Sequence, residues 1–151
     1  MLRSVQPPSR ALSVVALFAR LALGAAFLSA VADRFGLWGA PGTPGVAWGS
    51  FDAFAAYTGV LLAFLPTSMI TAFAWIATAL EVLFAVLLIA GAWTRVAATG
   101  SALLLVTFAL AMIAALGWKA PLDYSVLSAA AAAALLAVTG SPRWSVDALR
   151  R

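Results

Sequence analysis

The chain contains neither cysteine nor histidine. Disulfides, thiol redox chemistry, thiolate zinc sites, histidine-ligated haem and imidazole general bases are therefore excluded, and cysteine usage carries no mark of a redox compartment. Charge is nearly as scarce. Nine basic and five acidic residues make up 9% of the 151 residues, against about 25% in soluble domains. The basic residues sit at the chain ends and turns and form no stripe with aromatics, so nucleic acid is not an expected partner. No nucleophile–base pair and no carboxylate cluster composes a catalytic constellation or a metal site.

What is present is hydrocarbon: 65% of the residues are hydrophobic. A soluble domain of about 150 residues leaves roughly 30% of its unfolded surface exposed, so one this apolar has no way to hide its surface from water. Lipid is the expected solvent, and the length allows a single domain, residues 1–151. The expected fold is all-α, an integral membrane four-helix bundle with a short interfacial or re-entrant helix between spans one and two. The spans fall at about 11–32, 68–90, 96–116 and 122–139. Twenty-two residues rise about 33 Å, enough for the hydrocarbon core.

Between spans one and two, Gly36 to Ser50 is rich in glycine, proline and tryptophan and cannot continue a helix. Trp38 and Trp48 suit the headgroup layer. The apolar segment 51–65 is short for a span and ends at Pro66. Its Phe51, Phe54, Tyr57 (or Thr58) and Leu61 recur at helical spacing, so it either lies in the membrane surface or covers the bundle as a lid. The fourth span, with six alanines at 129–134, is weakly hydrophobic and is expected to shelter between other helices. The polar tail from Gly140 to Arg151 is expected to form an interfacial turn. A competing reading takes Arg20 to Ala32 as a signal peptide with an Ala-x-Ala cleavage site.

Charge placement orients the spans. Arg3, Arg10, Arg95, Arg143, Arg150 and Arg151 fall on one side; Arg34 and Lys119 fall on the other, with Asp33, Asp52 and Asp123. The positive-inside rule puts both termini in the cytoplasm.

Arg20 and Glu81 are the ionisable residues inside spans. Each costs about 2.5–3.5 kcal/mol near the centre of an isolated inserted helix. Counted from the cytoplasmic ends, both lie ~14 Å deep, so the expectation is a buried Arg20–Glu81 pair between spans one and two. Small residues flank each: Ser13, Ala16 and Gly24 around Arg20, and Ala74, Ala77, Thr78 and Ala85 around Glu81. Bulky Ile76, Leu83 and Leu87 lie opposite and suit lipid. The expected ligand-binding set is Arg20, Glu81, Thr78, Gly24, Thr107 and Ser128, with Thr99 and Ser125 as further hydroxyls. Asp33, Arg34, Trp38, Lys119, Asp123 and Tyr124 are expected near the outer surface, either as a mouth or as interfacial anchors.

Several segments resemble the DoxX family of small four-helix bacterial membrane proteins. They are Arg20-Leu-Ala-Leu-Gly24-Ala-Ala-Phe27 with Arg34 just beyond, Glu81 followed by Leu87-Leu-Ile-Ala-Gly91-Ala-Trp-Thr-Arg95, and Lys119-Ala-Pro-Leu-Asp-Tyr-Ser125. The likeness runs from about Ala16 to Leu136. It implies a bacterial inner-membrane location and an accessory, quinone- or lipid-interacting role in an oxidoreductase system. The chain supplies no redox centre, so any electron transfer needs a bound quinone or partner oxidoreductase subunits. Beside this stand a small-solute or proton pathway through Glu81, and a ligand-free scaffold. A homo-oligomer is compatible with the bulky outer faces.

Overall fold

A computed structural model describes residues 9–140 and 143–149. Arg3, Arg150 and Arg151, counted above for orientation, lie outside them. The described residues are helical, with no strands. Three helices are long and apolar enough to cross a membrane: α1 (Arg10–Arg34), α3 (Thr67–Ala90) and α4 (Thr94–Leu116). Between α1 and α3 lies α2 (Phe51–Leu61), and the chain continues through α5 (Lys119–Asp123), α6 (Val126–Thr139) and the one-turn α7 (Val146–Leu149).

Local chemistry sets the boundaries. Ser9 and Ser50 cap α1 and α2, their hydroxyls accepting from Leu12 N and Ala53 N at 3.2 Å. Leu62 to Leu65 turn away before Pro66, so α2 is shorter than the apolar segment that encodes it. α3 ends at Gly91 in the left-handed region (φ 66°), where Ala92 N donates to Leu87 O and Gly91 N to Leu88 O, a Schellman closure. The segment expected as one span over 122–139 is two pieces, because Ser125 takes φ 55° and breaks the helix between α5 and α6.

α4 and α6 pack along each other, as do α1 and α3, and one core draws on all four. Its centre is made of small groups, with Ala85, Ala97, Ala98 and Ala133 fully buried. Bulky Ile76, Leu83, Val86, Leu103 and Leu110 point outward, whereas Leu87, expected toward lipid, is half-buried against the core. This inversion of the soluble pattern follows from lipid as solvent: aliphatic side chains lose nothing by facing acyl chains, and small ones let backbones approach. Gly24 brings α1 close to α3. A Cβ there would lie 2.6 Å from Ile89 Cγ1 and 3.1 Å from Ala85 O.

The helices are staggered. Gly24 lies against Ala85 and Ile89, and Arg34 reaches Thr78 and Glu81. α1 therefore lies against the second half of α3. The level that α1 does not reach, beside the first half of α3, is taken by α2, which packs on α3 and α4.

Candidate functional site

The stagger overturns the expected Arg20–Glu81 pair. Arg20 is level with the C-terminal end of α3, not with Glu81, because equal depth was inferred from span ends that are not in register. Its guanidinium, 1% exposed, donates from Nε to Leu88 O (2.8 Å), from Nη2 to Ile89 O (2.9 Å) and from Nη1 to Trp144 O (2.9 Å). The last carbonyls of a helix have no partner inside it and carry the negative end of its dipole. Arg20 satisfies both needs at once and acts as a cationic cap on α3.

The partner of Glu81 is Arg34. Its Nη2 lies 2.8 Å from both carboxylate oxygens and donates to Oε1, while Nη1 donates to Thr78 Oγ1 at 2.8 Å. Thr78 in turn donates to Ala74 O. The guanidinium is roofed by α2 and the loop before it: its Cζ lies 3.7 Å from the Phe54 ring centroid and 5.4 Å from that of Trp48. A cation against an aromatic face gains more when desolvated. Trp48, expected among the headgroups, is instead half-buried over this cation, edge-on to Phe54. Of the two readings of α2, the lid fits Phe54 and Thr58, which are both buried.

Asp33, beside Arg34, organises the loop that carries Trp48. Its carboxylate accepts from Ala47 N (2.8 Å), Trp48 N (3.0 Å) and Gly49 N (2.9 Å). Neighbouring residues at the end of α1 thus fix the roof and the ion pair beneath it. Asp33 and Arg34, expected near the outer surface as a mouth or as interfacial anchors, are both buried. The rest of that set stays outside. Trp38 is exposed and donates to Ser29 O, Lys119 pairs with Asp123 on the surface, and Tyr124 is exposed. Burial raises the pKa of the nearby Tyr57 phenol, with a smaller effect from Tyr124.

Two of the expected pocket hydroxyls are on the outside. Thr107 is exposed and returns its hydrogen bond to Leu103 O, and Ser128 is exposed on α6. Thr99 likewise back-bonds to Arg95 O, and Ser125 is exposed at the helix break. A hydroxyl bonded to its own helix can face lipid, so its presence in a span does not mark a pocket. Thr78 and Gly24 are buried between α1 and α3 as expected, but Gly24 serves close approach.

Two atoms of the ion pair have no hydrogen-bond partner despite burial: Arg34 Nε and Glu81 Oε2. An apolar groove of about 530 Å³ runs along the outer face of α3, between Phe35 and Trp75 at one end and Val82, Leu83 and Val86 at the other. Thr78 lines it and is one hydrogen bond from Arg34. Phe51 stacks on Trp75 with centroids 4.1 Å apart and thickens the aromatic end. Among the described residues no cluster of metal-ligating side chains occurs. No family model, no curated protein and no solved structure matches this chain.

Proposed function

We propose that the chain is a DoxX-like bacterial inner-membrane protein that crosses the bilayer four times, with α6 as the short fourth span. It binds a lipophilic small molecule of the quinone class at the groove on α3. The orientation keeps both termini in the cytoplasm. Arg10, Arg95 and Arg143 fall on that side, and on the other Arg34 is neutralised by Glu81, leaving Lys119 paired with Asp123.

The observation that carries the reading is a half-satisfied ion pair next to an apolar groove, joined to it through Thr78. Buried charges are normally paired and fully hydrogen-bonded. Here Arg34 Nε has no hydrogen-bond partner, and Glu81 Oε2, although 2.8 Å from Arg34 Nη2 in the ion pair, accepts no hydrogen bond. A quinone carbonyl accepts a hydrogen bond, and the hydroxyl of its reduced form donates one, so one head group suits both atoms in its two states. An isoprenoid or alkyl tail suits the aliphatic half of the groove and a flat ring the aromatic half. Electrons would come from partner subunits, because the chain has no redox group of its own.

Trp75 lines the groove and reports on occupancy. Titration of the protein in lipid nanodiscs with a short-tailed quinone should quench its fluorescence saturably, and Trp75→Phe should remove most of that signal. Val82→Trp fills the groove without touching the ion pair and should weaken binding tenfold or more. Quenching that never saturates, or that Val82→Trp leaves unchanged, rejects the quinone reading. It would favour the scaffold alternative, which draws support from how much of Arg20 and Arg34 is spent on contacts within the chain.

A further inference from the structure

Among the described residues that line the groove on α3, Thr78 carries the hydroxyl and the others supply aliphatic or aromatic surface. Trp75 presents its ring, stacked on Phe51. Arg34 and Glu81 are not part of the lining, and both are 2% exposed. A head group that enters the groove therefore meets Thr78 before it meets the ion pair. The bonds that Thr78 already makes decide what it can still offer.

A threonine hydroxyl has one proton to donate and two lone pairs with which to accept. The proton of Thr78 is committed to Ala74 O at 2.8 Å, and one lone pair accepts from Arg34 Nη1 at 2.8 Å. One lone pair is left. Both partners are held in place: Ala74 belongs to the same helix, and the Arg34 guanidinium is fixed by Glu81 and the Phe54 ring. A ligand hydroxyl can donate to the remaining lone pair and break nothing. A ligand carbonyl must first turn the Thr78 proton away from Ala74 O, losing one bond for the one it gains.

We propose that Thr78 makes the groove selective for a hydroquinone over the quinone of the same ring and tail. The inference rests on the quinone reading and adds which redox form is held more tightly. The preference should be about fivefold, the contribution of one net hydrogen bond. Tighter binding of the reduced form raises the midpoint potential of the bound two-electron couple, here by about 20 mV. The bound quinone is then a better electron acceptor than the free one.

The full chain in lipid nanodiscs is titrated calorimetrically, without oxygen, with three decyl-tailed probes. They are a benzohydroquinone, the matching benzoquinone, and the dimethyl ether of the hydroquinone, which has no proton to donate. Val82→Trp nanodiscs, with the groove filled, give the heat of partition into lipid alone. The hydroquinone should bind about fivefold more tightly than the quinone, and the ether should lack that advantage. Thr78→Val keeps the side-chain shape without the acceptor and should abolish the preference, while Thr78→Ser should keep it. Trp75→Phe removes an indole N–H that would serve a carbonyl, and should leave the preference at least as large. The three probes on the unaltered chain decide the selectivity even where Thr78→Val does not fold. Saturable binding with equal or inverted affinity for hydroquinone and quinone overturns the selectivity and leaves the quinone reading standing. An undiminished preference in folded Thr78→Val overturns the role of Thr78, and saturable binding of none of the probes overturns both readings.

Discussion

The pairing of Glu81 can be tested by double-mutant cycles that set Arg34 against Arg20. Arg34→Met leaves the Glu81 carboxylate buried without its counter-ion, and Glu81→Met leaves the Arg34 guanidinium in the same state. Breaking a buried pair from one side costs about 3–5 kcal/mol. The double variant loses both charges together, and replacing a buried pair by packed apolar groups is often neutral or better. The sum of the single losses should therefore exceed the double loss by about 3 kcal/mol or more. Arg20→Met is itself costly, because it removes three charge-assisted bonds to carbonyls at 2.8–2.9 Å, each worth about 1.5–3 kcal/mol. Its acceptors on α3, Leu88 and Ile89, lie two turns beyond Glu81, roughly 10 Å along the axis. Arg20→Met and Glu81→Met should then add to within about 0.5 kcal/mol. The assay is reversible unfolding in mixed micelles, followed by tryptophan fluorescence. Coupling between Arg20 and Glu81 larger than that between Arg34 and Glu81 would refute the stagger of α1 on α3.

Three further outcomes follow from the same geometry. Asp33→Asn keeps one acceptor oxygen where the carboxylate uses two on three amides, and should cost about 1–3 kcal/mol while raising protease cleavage within residues 36–50. Gly24→Val pushes against Ile89 and the Ala85 carbonyl and should lose about 1–3 kcal/mol by overpacking, whereas Gly42→Ala meets no atom within 4 Å and should disturb only its own turn. Asp147→Asn weakens the cap on α4 that its own sequence does not provide, and should lower stability by about 1 kcal/mol, seen in the same unfolding assay.

Much of the candidate site was legible in the residue types and little of it in the pairings. The small face around Glu81 and the bulky face opposite it were readable because helical periodicity fixes which residues share a side. Burial of Arg20 and Glu81 followed from the cost of facing lipid, and that of Thr78 and Gly24 from the small-residue faces they belong to. The mistaken partner came from treating span ends as level. Arg34 was assigned to the surface because it ends its helix, and nothing local to it signals that α3 extends past it and that α2 closes over it. Thr107 and Ser128 were misread for another reason: a span hydroxyl bonded to its own backbone leaves no mark in the sequence.

Composition, hydropathy and the spacing of glycines and prolines by themselves determine that the chain is helical, apolar enough for a bilayer and interrupted where it is. These are local properties, set by each segment's own transfer energy and backbone freedom. Which cation meets which carboxylate depends on how far one helix slides along another. That slide is fixed by close contact at Gly24 and by the capping of the α3 carbonyls by Arg20, interactions between residues more than sixty positions apart. Only the tertiary structure could decide it.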